Sequence, residues 1–279
     1  MLAAEIPLMS ETLDRAALAA MFAANLRAYA HSFRSAPGAD LQQGPDLLRV
    51  YLPTPSARFN TIIAKPLAGT ALERCAAESM AFFAGRARAY TWVMDAAGAA
   101  RKAATHEVMQ RHGLVGFAEP PLMVLPLHCI SQQPRPQHLQ IVPVTTLTQI
   151  EQFIAVFSQG EPGQGLDPAT LRPLFAPRVG PGSTVRSFLG LIGDRAVACA
   201  TLVPSGGIAG IYEVATVPAA RRQGYGAAIT LRALAYAHRL GLAVSMLQSS
   251  SAALSLYHRL GYTEFARSSI YLIRAFSQA

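Results

Sequence analysis

The stretch from Glu213 to Ala227 constrains this chain more than any other. An extended apolar run, Val214 to Val217, breaks at Pro218 and gives way to a basic turn, punctuated by Gly224 and Gly226, that opens a helix. Val214 to Val217 reads as a buried strand. From Ala227 to Leu240 apolar residues recur at helical spacing (Ile229, Leu231, Leu234, Leu240) before a stop at Gly241. The first amides of such a helix have no carbonyl behind them to bond. Those from Arg222 to Ala227, together with the positive end of the helix dipole, favour an anion, and the glycines let the backbone approach it. A diphosphate fits such a turn. Two common phosphate-binding patterns fail on spacing: no glycine is followed, after four intervening residues, by Gly-Lys-Ser/Thr, and Ile229 stands where a dinucleotide fingerprint needs a small residue.

Arg221, Gly224 and Gly226 do fit the pattern Arg/Gln-x-x-Gly-x-Gly/Ala. Downstream, Ala243 to Gln248 reads as the next strand, and Ser250 to Tyr262 as a short helix closed by Gly261. Ala253, Leu256, Tyr257, Leu260, Gly261 and Tyr262 match Asn-x-x-Ala-x-x-Leu-Tyr-x-x-Leu-Gly-Phe/Tyr, with Ser250 in place of the asparagine. In this order, one helix and one strand apart, the two runs resemble the signatures of the GCN5-related N-acetyltransferase (GNAT) superfamily. The resemblance spans residues 138–279 and implies the GNAT acyl-CoA N-acyltransferase fold, an α/β (α+β mixed-sheet) architecture.

It also implies acetyl-CoA as co-substrate and no metal. Main-chain groups of Ala215, Thr216 and Val217 would pair with the pantetheine chain where the central strand splays from its neighbour. Arg221, Arg222, Gln223, Gly224, Tyr225, Gly226 and Ala227 would form the diphosphate loop, and Ser250 would donate one hydrogen bond with less reach than asparagine. Tyr257 stands where many members place the general acid. Glu213, a carboxylate beside the motif, suits a general base, an exposed strand carboxylate being the bland alternative. His238 and His258 read as surface residues. Glu161 and Asp167, in a Gly/Pro-rich loop, are placed to meet a cationic amine.

The rest of the second half supplies the expected elements. His138 to Val144 reads as a strand, Leu147 to Phe157 and Pro168 to Phe175 as helices, and Arg186 to Ile192, Arg195 to Val203 and Ile208 to Val217 as strands joined by turns at Gly193 and Gly207. Thr263 to Ile273 reads as the final strand.

The first half reads as a helix from Thr12 to Ala30, strands from Asp46 to Leu52 and Arg58 to Lys65, and a helix from Thr70 to Gly85. A strand from Ala89 to Met94, a helix from Thr105 to His112 and a strand from Met123 to His128 follow. Phe59-Asn60, the end of a strand at Tyr90 to Trp92, and His112 to Leu114 resemble the amino-terminal halves of tandem GNAT proteins whose first copy has lost its phosphate loop. An unrelated α+β domain is the alternative. The expected division is a degenerate GNAT-like domain over 1–130, a polar, proline-rich linker over 131–137, and the acetyl-CoA-binding domain over 138–279, each half long enough for its own core.

Composition bounds the partners. A net charge of +8 invites a nucleic-acid reading, but Lys65 and Lys102 are the only lysines and the arginines form no basic tract, which disfavours nucleic acid and suits a phosphorylated cofactor. No apolar run reaches the ~20 residues that span a bilayer, and Glu5 and Pro7 do not suit a signal peptide. Cys75, Cys129 and Cys199 lack metal-ligand spacing and read as reduced, mostly buried thiols. The expectation is a cytoplasmic, bacterial acetyltransferase that acts on a small primary amine, and a homodimer is compatible with it. A non-catalytic acyl-CoA-binding or regulatory protein and a protein-acetylating enzyme are the alternatives.

Overall fold

The computed structural model describes residues 14–87, 89–94, 99–130, 136–161, 166–180 and 182–274. The first half contains α1 (Arg15–His31), β1 (Asp40–Gln43), β2 (Leu47–Tyr51), β3 (Thr61–Ala64), α2 (Gly69–Phe83), β4 (Ala89–Met94), α3 (Ala99–Arg111), β5 (Val115–Ala118) and β6 (Pro121–Pro126). The second contains β7 (Gln140–Pro143), α4 (Leu147–Gly160), α5 (Pro168–Phe175), β8 (Arg186–Ile192), β9 (Arg195–Ser205), β10 (Ile208–Thr216), α6 (Tyr225–Arg239), β11 (Val244–Gln248), α7 (Leu254–Arg259), β12 (Thr263–Arg267) and β13 (Ser269–Arg274). Most of the linker expected at 131–137 lies outside the described residues.

Local chemistry explains the helices that frame the later site. Thr146 caps α4 in a capping box: its hydroxyl accepts from the Gln149 amide while the Gln149 side chain accepts from the Thr146 amide. Ile150, Phe153, Ile154 and Phe157 then fall on one buried face. Asp167 caps α5 by accepting the amide and hydroxyl of Thr170 at 2.9 and 2.8 Å, with Pro168 at the first helical position. These bonds hold the Asp167 carboxyl below its ordinary value. Asp167 is thus a helix cap, whereas the sequence reading offered it to an amine.

Two mixed sheets result, ordered β1-β2-β3-β4-β13-β5 and β12-β6-β11-β10-β9-β8-β7. The two orders correspond. In each, antiparallel strands lead to one parallel pair, β3 with β4 and β10 with β11, followed by two antiparallel neighbours. In each, the strand next to the last place is borrowed from the other half: β6 lies between β11 and β12, and β13 between β4 and β5.

The sheets therefore do not follow the expected division at 131–137. The strand read as Met123–His128 is β6, over Pro121–Pro126, and it belongs to the second sheet. The single strand read over Thr263–Ile273 is two strands, parted at the buried Ser268. β6 is wholly apolar and β13 carries Ile270, Tyr271, Leu272 and Ile273 between polar ends, and an interior slot gives both strands neighbours on either edge. Two strands in the described structure, β1 and β5, were not anticipated. Each is four residues long, and β1 is half glutamine.

The second sheet is covered on both faces. Val197 and Cys199 face α4 and α5, while Ala198, Ala200 and Leu202 face α6. The amino-terminal α1 also packs on this sheet, against β9 and β10. Its end and the turn after it, at Ala30, Phe33 and Ala36, join the side chains of β2, β3, α4 and α5 in one core. No helix among the described residues is long and apolar enough to cross a membrane.

Candidate active site

Between β10 and α6 the chain makes the turn that the sequence marked. Arg222 and Gly224 both take positive φ, 66° and 80°, and Gly224 is the N-cap of α6. Ala220 and Arg221 donate their amides backwards, and the next amide with a backbone partner is that of Ala228. From Arg222 to Ala227 the amides have no partner among the described residues, and they converge on one helix N-terminus. Arg221 braces the turn: its guanidinium donates to the carbonyls of Gly160 at 2.7 Å and Thr216 at 3.3 Å. Arg222 and Gln223 point to solvent, and Gln223 accepts from the Tyr225 hydroxyl at 2.8 Å.

The strand that leads into this turn is open along one edge. β10 pairs with β11 only from Ile208 to Gly210, whereas its pairing with β9 continues to Thr216. Beyond Gly210 the two parallel strands splay and leave main-chain groups of β10 without a strand partner on that side. The Val217 amide is bonded to the Val197 carbonyl at 3.0 Å, on the β9 side. Alternation along the strand turns the Thr216 amide to the open side. Within Ala215 to Val217, Thr216 thus offers the free donor.

Beside the turn stands α7. Leu256 approaches Gly226, where a Cβ would lie 3.7 Å from Leu256 Cδ2 and 3.5 Å from Thr216 Oγ1. Ser250 is exposed, its carbonyl accepting from Ala253 and its hydroxyl without a partner among the described residues. Tyr257 is buried edge-on against Tyr262, with centroids 5.7 Å apart, and its hydroxyl likewise has no hydrogen-bond partner among the described residues. Burial first, and the Glu161 charge second, push its pKa well above the ordinary tyrosine value. The group is a neutral proton donor.

Glu213 is placed otherwise than expected. It sits at a bulge of β10, between the register positions of Tyr212 and Ala215, at φ 54°. The bulge turns Tyr212 and Glu213 to the same face, where the Tyr29 ring stacks on Tyr212 at 4.2 Å and the Tyr29 hydroxyl donates to Glu213 Oε1 at 2.9 Å. Arg178 adds a bidentate pair, Nη1 to Oε1 at 2.7 Å and Nη2 to Oε2 at 3.1 Å, and the Thr201 hydroxyl donates to Oε2 at 2.5 Å. Each carboxylate oxygen holds two donors, which fills its lone pairs, and the side chain is 0% exposed. No acceptor nitrogen or water can reach it as a base, and it is not an exposed strand carboxylate either. It is a buried anchor.

Its partners carry no mark in the sequence. Tyr29 comes from α1, and Arg178 from the turn after α5, where its guanidinium lies 4.5 Å from the Phe33 centroid and 4.6 Å from that of Phe175. Nothing local marks either residue. Of the cysteines, Cys75 and Cys199 are buried and Cys129 is exposed, and all are free.

A mixed sheet with a splayed parallel pair, and a glycine turn whose amides open a helix beside the splay, define the GNAT class of acyltransferase folds. Comparison agrees: the acetyltransferase (GNAT) domain model matches residues 185–264, from the start of β8 into β12. Solved structures share the fold along most of their length. A GCN5-related N-acetyltransferase from Kribbella flavida is 18% identical, with 91% of this chain and 97% of that one covered, at a TM-score of 0.66. One from Sphaerobacter thermophilus is 15% identical, with 94% of each chain covered, at 0.57. A tandem GNAT protein from the clavulanic acid biosynthesis pathway is 11% identical, covering 92% and 89%, at 0.58. No curated protein matches the chain.

Proposed function

We propose that this chain moves an acetyl group from acetyl-CoA to a primary amine by direct attack in a ternary complex, as a cytoplasmic bacterial enzyme. The observation that carries the reading is the run of unpartnered amides from Arg222 to Ala227 beside the open edge of β10. The amides take the diphosphate, and the open edge, with the Thr216 amide, takes the pantetheine chain and polarises the thioester carbonyl. The neutral amine attacks; as the C–N bond forms, the C–S bond breaks and the thiolate takes a proton from the neutral Tyr257 hydroxyl, while the nitrogen sheds its extra proton to water, from which Tyr257 regains its own. Ser250 is assigned to the same chain as a hydroxyl donor. Glu213 has no part in proton transfer, and its saturation is what favours the second reading, an acyl-CoA-binding protein without transfer activity.

We read the first half as a second GNAT copy without its phosphate site. The matching strand orders support this, as does the connection from β3 to α2 at the place equivalent to the phosphate turn. That connection contains Pro66, which has no amide, and its helix starts at Gly69 behind an Ala68 N-cap.

Calorimetry on the full-length chain tests the cofactor. Coenzyme A and acetyl-CoA are expected to bind with micromolar-scale affinity, about 8 kcal/mol. Heat with NADH or ATP and none with either coenzyme A ligand overturns the assignment.

A further inference from the structure

Glu161 is the C-cap of α4, and the glycine before it fixes its place. A Cβ on Gly160 would stand 2.6 Å from Ala215 Cβ and 3.4 Å from the Thr216 nitrogen, so glycine alone lets the end of α4 abut β10 there. Arg221, from the phosphate turn, grips the Gly160 carbonyl at 2.7 Å. Glu161 is therefore one residue from both halves of the proposed cofactor site. Its charge, after burial, helps push up the Tyr257 hydroxyl, so it is felt at the proposed proton donor. The other two carboxylates that the sequence put near the site are engaged: Glu213 is saturated and Asp167 caps α5. Glu161 keeps a side chain 33% exposed.

Its partner among the described residues comes from the other half of the molecule. Arg58 Nη1 lies 3.3 Å from Glu161 Oε2, and the same guanidinium stands 5.1 Å from the centroid of Phe157, one turn back on α4. A carboxylate and an aromatic face on the last turn of one helix form a slot for a cation. Arg58 fills it from a side chain 36% exposed, and an ion pair so open to water is weak and easily exchanged.

We propose that this slot receives the acceptor as its ammonium, which gives a proton to water before its nitrogen attacks, and that Arg58 is a tethered occupant which the acceptor displaces. The inference rests on the acyltransferase reading and narrows it to amines that arrive as cations. It gives the first half of the chain a direct part in acceptor selection. Arg58 competes with the incoming cation, so removing Arg58 and removing Glu161 have opposite effects.

The test uses full-length protein, acetyl-CoA and thiol release with butylamine, putrescine and agmatine as probes. For the amine turned over fastest by the unaltered chain, Glu161→Gln is expected to raise KM about tenfold or more, the loss for a hydrogen bond to a charged group, with acetyl-CoA affinity unchanged. Glu161→Asp, which keeps the charge, is expected to restore most of it, and Arg58→Ala to lower KM. An unmoved KM in Glu161→Gln overturns the proposal while leaving the acyltransferase reading intact. So does a KM raised by Arg58→Ala, because the pair then merely joins the two halves. Bound acetyl-CoA with no release for any probe brings down both.

Discussion

Tyr257 and Glu213 entered as a pair of catalytic candidates, and their surroundings separate them. Tyr257 has a hydroxyl without a hydrogen-bond partner among the described residues, and its raised pKa keeps the proton on at any physiological pH. Tyr257→Phe keeps the ring and its packing on Tyr262, so acetyl-CoA affinity should hold while turnover falls on the order of a hundredfold. Calorimetry and steady-state rates on the same preparation check both halves, and an unchanged turnover would remove Tyr257 from the mechanism. Glu213 behaves as a structural charge. Arg178→Met leaves its carboxylate buried without a counter-ion and should cost about 3–5 kcal/mol in denaturant unfolding. The double variant Arg178→Met/Glu213→Gln removes the uncompensated charge and should recover part of that loss. A single variant as stable as the parent would show that the pair is not the anchor described. The sequence carried Tyr257 because its helix is a local pattern. It could not carry the state of Glu213, since Tyr29 and Arg178 lie 184 and 35 residues away.

At the scale of elements, the turn from Val217 to Ala227 is the most legible part of the molecule, since proline, arginines and glycines each act within a few residues of themselves. Its two glycines serve different ends. Gly224 has φ 80°, where an L side chain is strained, whereas Gly226 faces Thr216 and Leu256 at ordinary contact distance. Gly226→Val should therefore fold, yet its branched side chain fills the space before the free amides and should weaken acetyl-CoA by about a hundredfold or more. Circular dichroism and calorimetry together check this, and a folded variant with parental affinity would place the diphosphate elsewhere. Elements with strong caps or long apolar periods, such as α4, α5 and β8, were readable to within a few residues. β1 and β5 were not. Asp40–Gln43 has one apolar residue in four and shows no period, and what makes it a strand is its pairing with Leu48 to Tyr51.

The molecule as a whole is where sequence reading and structure part most. A proline-rich polar segment between apolar runs is a sound sign of a domain boundary, but it marks where the chain passes, not which sheet a strand joins. β6 ends before that segment and lies between β11 and β12, and β13 crosses back to lie between β4 and β5. Neither half holds its own last strand, and we expect the halves to fold as one unit. Residues 138–279 alone lack β6, whose Leu122, Met123 and Leu125 are at most 1% exposed. At about 1.5–3 kcal/mol for each such side chain, the loss approaches the 5–15 kcal/mol by which a domain is stable, and it also leaves the edges of β11 and β12 unpaired. The same fragment lacks α1, and with it the Tyr29 hydroxyl on Glu213. We expect the fragment to be aggregated or unfolded when expressed alone, and to recover a cooperative transition and acetyl-CoA binding when co-expressed with residues 1–137. Gel filtration and thermal unfolding decide it. A fragment that is monomeric, melts cooperatively and binds acetyl-CoA by itself would mean that the exchanged strands are not what closes the second sheet.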